Sequence, residues 1–492
     1  MRKQVAVIGG GLAGLSAAIR LANQDYKVTL YEQTSQLGGK MGELRQNGFR
    51  FDTGPSLLTM PFVLDELFTA AGFQRSDFLD LVPVEPMCRY FFPDGTRLDA
   101  SHDGEKMRAA LAAFSPPDAE RFSDFLAYSR KIYDTTADVF LFTPIQEWHK
   151  LLRWRHVPTL LSLPAIDPFR TVHGGLARFF KNDKIVQLFD RYATYNGSNP
   201  YQAPATLNII PHVEYGLGAY YVRGGMYHLV NALETLAGKL DVAIHTNTRV
   251  SRILQQNGRV SGIAAADEAM PYERVVCNAD VVTAFNELID AVPRRRAQLN
   301  RLEPSLSGLV FLWGVQGHHA DLLQHNIYFS KDYRGEFEQI FQQRRPPDDP
   351  TIYVAITSRV DAADAPPDGE NWFVLLNMPY LAEGQDWEAA VPRMRATVLK
   401  KLRDHGIDLS GRISCENVLT PIHFYEKYSS NRGSIYGISS NSRSMAFRRP
   451  ANRSRDVRGL YFAGGACHPG GGIPLVLLSG KMAAELLMEQ DR

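Results

Sequence analysis

Several of the features that announce a protein's chemistry are scarce in this chain. Its 492 residues include four cysteines, Cys88, Cys277, Cys415 and Cys467, widely spaced and without a CxxC pair. That spacing argues against a disulfide framework or a thiolate metal centre and fits a reduced, cytoplasmic setting. An excess of one charge is missing too: 54 basic against 53 acidic residues leave +1, so no dominant nucleic-acid surface is expected. No apolar run convincingly spans a membrane. The most apolar window, 460–480, is broken by glycines, by Pro469 and Pro474 and by His468, and reads as a turn leading into a buried helix. Histidines such as His318 and His319 have no ligand spacing and are expected at the surface. No catalytic triad, metal cluster, internal repeat or low-complexity tract is visible. The length exceeds one ordinary core, so two domains are expected.

What is present is glycine, concentrated near the two ends. Residues 4–8 (QVAVI) suit a buried parallel strand; Gly9, Gly11 and Gly14 follow as G-x-G-x-x-G, and LSAAIRLA continues as a helix. Gly9 permits the tight turn, Gly11 admits a pyrophosphate to the backbone, and Gly14 lets the helix lie close on the strand. The helix N-terminus faces phosphate with unpaired N–H groups and a favourable dipole. A second strand, KVTLYE, ends at Glu32, about 20 residues on, where a carboxylate accepts ribose hydroxyls and disfavours NADP. Gly38-Gly39-Lys40 trails this unit. Arg2-Lys3 before an apolar stretch has the outline of a secretory signal, but the glycine register and intact second strand favour the dinucleotide grip. At the far end, GLYFAGGACHPGGGIPLVLLSG has the composition needed where backbone presses against a flat ring such as a flavin.

The expected fold class is α/β. A Rossmann-like cofactor domain is assembled from discontinuous segments, 1–100, 215–295 and 425–492, beside an α+β substrate domain of 101–214 and 296–424. FFPDGTRLDA reads as two strands about a Pro-Asp-Gly turn, and Asn257-Gly258 marks a hairpin. Residues 101–214 turn mostly helical, as in ERFSDFLAYSRKIYDTTADVF, and GLVFLWGVQG, TIYVAITSRV and NWFVLLNMPY supply the sheet of the substrate domain. The stretch 148–170 mixes Trp148, Trp154 and leucines with Lys150, Arg153, Arg155 and Arg170. That mixture suits a membrane interface, or a helix with an apolar core face and a solvated basic face.

These motifs resemble the bacterial carotenoid desaturase family, the phytoene desaturase-type flavoproteins, over essentially the whole chain. The likeness is carried by the fingerprint, by GFRFDTGPSLLTMPFVLDELF, by RYATYNGSNPYQAPATLNIIPHVEYGLGAYYVRGGM and by GLYFAGGACHPGGGIPLVLLSGKMAAELL. LLTMPFVLDELF, FFPDGT and LFDRYATYNGSNP look most like the branch acting on 1-hydroxylated acyclic carotenoids at the 3,4 bond. Lys40 departs from the arginine of many relatives and keeps the charge without the bidentate grip.

The resemblance implies FAD as cofactor, making the Rossmann-like part an FAD-binding domain. It places Gly9, Gly11, Gly14, Glu32, Gly39 and Lys40 on the adenosine-diphosphate half and the Val250 backbone at the adenine. Asp52, Thr53, Gly54 and Pro55 lie beside the flavin, and Gly464, Gly465, Gly471, Gly472 and Ile473 run against its ring. His468 and Glu214 are the candidate proton acceptors, each with a plain alternative: a structural hydrogen bond for His468, and strand-edge packing for His212 and Glu214 in PHVEYG. Arg191 is expected to fix a polar loop.

The implied reaction is desaturation of an acyclic carotenoid by hydride transfer to flavin N5 and loss of an adjacent proton, with oxygen or a membrane quinone as final acceptor. The implied location is cytoplasmic, peripheral on the inner face of the cell membrane, with contact through 148–170. Phytoene desaturation to neurosporene or lycopene is an alternative. So are an amine or protoporphyrinogen oxidase of similar fold and a non-catalytic isoprenoid-binding protein.

Overall fold

The structure, a computed structural model, describes residues 2–147, 150, 166–290, 292–442 and 445–491. One layer is a five-stranded sheet in the order Ala243–His245, Lys27–Tyr31, Gln4–Ile8, Val275–Cys277, Leu460–Phe462. All of its pairings are parallel. The apolar run of residues 5–8 in the first strand follows from its central place. Val5 and Val7 pack with the helix Leu12–Ala22, while Ala6 and Ile8 join a second cluster with Val275 and Phe462. Neither face is left to water, which is why the strand shows no alternation.

The first helix lies against the last, Ile473–Gln490. Their backbones come close because Gly480 has no side chain: a Cβ there would stand 2.3 Å from the Ala13 carbonyl oxygen. Ser16 Oγ adds a hydrogen bond to the Leu477 carbonyl at 2.8 Å.

The second sheet has seven strands in the order Ile413–Leu419, Ser307–Gln316, Gly369–Met378, Ile352–Ile356, His325–Tyr328, Cys88–Phe91, Arg97–Ala100. Trp313, Trp372 and Leu376 pack with the helix Trp387–Asp404 through Met394 and Val398, and Leu312 and Phe373 lie in a separate cluster with Phe49 and Phe51. The FFPDGT hairpin forms as expected, with Gly95 at φ +84°. Its strands, however, join the second sheet, because Cys88–Phe91 pairs in parallel with His325–Tyr328. The boundary expected near residue 100 therefore does not separate the two sheets.

Other expectations are met locally. Asn257 (φ +52°) and Gly258 (φ +72°) turn the chain between Val250–Gln256 and Arg259–Ala265, as a two-residue hairpin requires. Residues 101–214 are mostly helical where described, led by Pro116–Phe140, whose start is capped by Ser115 accepting from the Asp118 amide. Ile209–Gly216 is helical as well, so the strand-edge reading of PHVEYG is corrected. His319 is not a surface residue: Nδ1 lies 2.7 Å from Glu370 and the ring packs edge-on to Trp372. Most of the stretch 148–170 lies outside the described residues.

Arg50 ties the layers together. Its guanidinium is buried, 2.8 Å from Asp52, 3.1 Å from Glu43 and 3.3 Å from Asp364. Asp52 in turn accepts from the amides of Met226 (3.2 Å) and Tyr227 (3.3 Å). Gly225, at φ +107°, passes so close to the guanidinium that no side chain fits there.

Gly480→Val is expected to push the two terminal helices apart and cost about 1–3 kcal/mol of overpacking. A lowered thermal unfolding midpoint checks this; an unchanged one would show that the helices do not need this close approach.

Candidate active site

A cavity of about 650 Å³ is lined at one end by the glycine fingerprint and at the other by the second sheet. The fingerprint end is shaped by absent side chains. A Cβ on Gly11 would lie 2.7 Å from Asn278 Oδ1, and one on Gly14 would lie 2.1 Å from the Gly9 carbonyl oxygen. Gly9 and Gly11 line the cavity, whereas Gly14 works from behind as the helix-to-strand contact. Glu32 lines it too. Its Oε2 accepts from the Gly10 amide at 2.8 Å, and its Oε1 accepts from the Thr34 amide and hydroxyl, each at 2.8 Å. A carboxylate oxygen has two lone pairs, so Oε2 keeps capacity for a further donor such as a ribose hydroxyl.

Gly39 and Lys40 also reach the cavity. Lys40 Nζ donates to the carbonyls of Ser434 (2.9 Å) and Ile435 (3.1 Å). Burial pushes its pKa down to about 8, partly opposed by Asp280. Val250 lines the same end from the start of its strand.

The tail brings Gly464, Gly465, Gly471, Gly472 and Ile473 to the cavity. A Cβ on Gly472, whose φ is +105°, would meet nothing within 4 Å and would project into open space. One on Gly39 would come within 3.4 Å of the Gly11 Cα, and one on Gly471 within 3.1 Å of the Tyr436 ring. This is a cradle that side chains would fill, and it fits a dinucleotide carrying a flat ring system. Thr53, Gly54 and Pro55 line it as expected. Asp52 does not: it is committed to Arg50, and burial raises its pKa to about 6.

Two residues escaped the sequence reading at this end. Asn278 accepts from the Gly14 amide at 3.1 Å and donates to the Ala463 carbonyl at 2.9 Å, so one carboxamide joins the first glycine segment to the last. Buried Arg449 donates to the Gly465 carbonyl at 3.1 Å and holds the tail loop in shape.

Beyond the cradle the walls are mostly hydrocarbon. Val310, Ile327, Phe373 and Leu375 come from the second sheet, and Ile210 and Val213 from the helical segment. Polar groups here are few and buried. The Arg191 guanidinium lies over the rings of Tyr192 (4.3 Å), Tyr90 (5.2 Å) and Tyr195 (5.3 Å) and 3.5 Å from Glu214. Burial opposes its charge, but these tyrosines and Glu214 hold its pKa well above the ordinary arginine value. The polar-loop reading of Arg191 is thus replaced by a cation held within tyrosine rings at the cavity wall. Glu214 lines the cavity and accepts from Tyr192 at 2.8 Å and from Tyr195. These contacts make it an anchor for Arg191 and the two rings.

His468 is corrected more sharply. It does not line the cavity; it is buried, and Nε2 lies 2.9 Å from the Thr143 carbonyl oxygen. A carbonyl only accepts, so the proton sits on Nε2, and burial pushes the pKa down to about 4. This is a structural hydrogen bond. His212 is also outside the lining, half-buried against Tyr133.

Residues 12–488 match a family model described as flavin containing amine oxidoreductase. The chain is 37% identical over 486 residues to a 1-hydroxycarotenoid 3,4-desaturase of Flavobacterium sp. (strain P99-3), covering 99% of each chain. It is also 37% identical over 494 residues to a 4,4'-diapolycopene oxygenase of Methylomonas sp, covering 99% of this chain and 98% of that one. Among solved structures, an oxidoreductase from Methanosarcina mazei superposes with a TM-score of 0.65 at 17% identity, over 99% of this chain and 100% of the other, and shares its fold.

His468→Gln is expected to leave the pH dependence of turnover unchanged and to lower thermal stability by about 1–3 kcal/mol through the disturbed Thr143 hydrogen bond. A loss of turnover of about a hundredfold or more at full flavin content, the scale for removing a general base, would restore His468 to the chemistry.

Proposed function

The chain belongs to the flavin-containing amine oxidoreductase family and is an FAD-dependent oxidoreductase; from that premise we propose that it desaturates an acyclic carotenoid, at the 3,4 bond of a 1-hydroxylated substrate. One observation carries the reading. The glycine cradle and the apolar walls belong to the same cavity, so a hydrocarbon held by those walls meets the cofactor site directly. A polyene offers almost nothing to hydrogen-bond, and a wall of Val310, Ile327, Phe373 and Leu375 recognises it by shape and burial.

Bound in the cradle, FAD supplies a two-electron acceptor for the hydride taken from an allylic carbon. In this reading Gly9, Gly11, Gly14, Glu32, Gly39, Lys40 and Val250 hold its adenosine-diphosphate half. Gly54, Pro55, Gly464, Gly465, Gly472 and Ile473 flank the ring. The helix beginning at Ile473 would present its positive N-terminal end to a ring held in the cradle and favour negative charge there. Residues 1 to about 87, 215–295 and 425–492 then form the cofactor part, and the remainder shapes the substrate cavity. The neighbouring proton leaves to water or a weak base, since Glu214 is already engaged and His468 stands outside.

A second reading is oxygenation of a terminal carbon, favoured by the equal identity to the diapolycopene oxygenase. The products differ in mass: desaturation removes two hydrogens and oxygenation adds oxygen.

We further propose that the protein works peripherally at the inner face of the cell membrane, where carotenoids partition, and that oxygen or a membrane quinone reoxidises it. No helix among the described residues is long and apolar enough to cross a membrane. Phe169, in the 148–170 stretch, leaves 71% of its surface exposed, as an interfacial anchor would.

Expression in a strain accumulating a 1-hydroxylated acyclic carotenoid is expected to red-shift the pigment, with loss of two hydrogens in the product. Expression in a strain accumulating phytoene is expected to leave it colourless. Coloured products from phytoene would move the assignment to the general desaturase, and a gain of oxygen would move it to the oxygenase.

Lys40 gives a pH test. Its buried amine has a pKa near 8 in the free protein, and an adjacent pyrophosphate would raise it. Binding then takes up a proton above pH 8, so FAD affinity of the apoprotein is expected to fall as pH rises above 8, by up to about tenfold per unit. Lys40→Met should bind more weakly and lose this slope; a slope that survives would remove Lys40 from the phosphate site.

A further inference from the structure

One polar cluster in the apolar half of the cavity is unused by the chemistry above. His325 lines the cavity and is only 3% exposed. Its Nδ1 lies 2.8 Å from the Tyr353 hydroxyl, which also hydrogen-bonds the Ser56 hydroxyl, and Ser56 and Tyr353 line the same cavity. The His325 and Tyr353 rings stack with an interplanar angle of 14°, so the imidazole is fixed in orientation. Its Nε2 is buried without a hydrogen-bond partner. Leaving such an atom unpaired is costly, and the surrounding wall offers Ile327, Phe373 and Leu375. Burial and the Arg191 charge hold the ring neutral, with a pKa near 3. Nε2 then donates or accepts, depending on which way Tyr353 turns its proton. A hydroxyl, both donor and acceptor, suits either state.

We propose that His325, positioned by Tyr353 and Ser56, is the subsite that hydrogen-bonds the hydroxyl of an otherwise hydrocarbon substrate. This deepens the function proposed above and rests on it. The placement agrees with the chemistry. A hydroxyl on carbon 1 sits two carbons from the bond between carbons 3 and 4, so recognition must occur close to the reacting carbons. Ser56 follows Gly54-Pro55 directly in the chain, and two residues of backbone span at most about 7 Å.

The test uses purified, flavin-loaded enzyme with two substrates, a 1-hydroxylated acyclic carotenoid and the same chain lacking the hydroxyl, both in detergent micelles. Dissociation constants are read from quenching of tryptophan fluorescence, and kcat/KM from product absorbance. The wild type is expected to favour the hydroxylated substrate by about tenfold, the value of one net hydrogen bond. His325→Phe should bring the kcat/KM ratio close to one. Tyr353→Phe, which keeps the ring and removes only the oxygen holding the imidazole, should lower the ratio in part. Flavin content per chain reports folding in each case. A preference that persists in both variants at full flavin content, or a wild type indifferent to the hydroxyl, overturns the subsite. Turnover of neither substrate overturns the proposed function instead, and the titration then decides the subsite: equal dissociation constants reject it, and tighter hydroxylated binding lost in the variants supports it.

Discussion

The site depends on one side-chain amide. Asn278 sits at the end of the strand Val275–Cys277, between the first glycine segment and the last. Its oxygen takes the Gly14 amide and its nitrogen reaches the Ala463 carbonyl, so segments distant in sequence are held a single carboxamide apart. The glycines around it are bare because this amide occupies the space their side chains would need. An alanine at Gly11 or Gly464 would strike the Asn278 side chain, at 2.7 and 2.8 Å. Gly11 and Gly464, at opposite ends of the chain, thus answer one packing requirement.

A second buried polar device, Arg50 with Asp52, Glu43 and Asp364, fixes the other side of the cavity. Burying a cation among carboxylates is costly unless every partner is in place. Here those partners come from the strand Phe49–Asp52, from the hairpin strand beside it and from the Ala362–Asp364 turn, while Asp52 also holds the Met226 and Tyr227 amides. The segments GFRFDTGP and YYVRGGM, distant in sequence, are therefore halves of one joint. Thr53 to Pro55 reach the cavity because Asp52 is turned the other way.

Much of the cofactor end was legible in the sequence because its signals are local. A strand, three spaced glycines, a helix and a terminal acid occupy consecutive residues, and Asn257-Gly258 specifies its own turn. Long-range placement was not legible. The strand Cys88–Phe91 looks alike whichever sheet it joins, and only its pairing with His325–Tyr328 decides that. His468 sits among glycines that line the cavity, yet its ring points to the Thr143 carbonyl, a fact of burial that composition does not carry. His325, Tyr353 and Ser56 are an ordinary histidine, tyrosine and serine in sequence. They become a cluster only when the second sheet is laid against the turn after Pro55. Glu214 was rightly placed on the cavity, but its partners Tyr192, Tyr195 and Arg191 decide what it can do there.

During synthesis the helix Leu12–Ala22 leaves the ribosome long before its partner Ile473–Gln490 exists. At translation speeds of roughly 5–20 residues per second, the intervening chain takes about 20–90 s to make. Over that interval the first strand lacks its full set of neighbours, and the Ala13, Ser16 and Ala17 face of the first helix stays uncovered. The cradle cannot close on a dinucleotide until the strand Leu460–Phe462 and the helix Ile473–Gln490 have been released, so cofactor loading waits for both. A nascent fragment truncated before residue 460 would present apolar surface without the means to bury it, and would be a client for chaperones before it could be an enzyme.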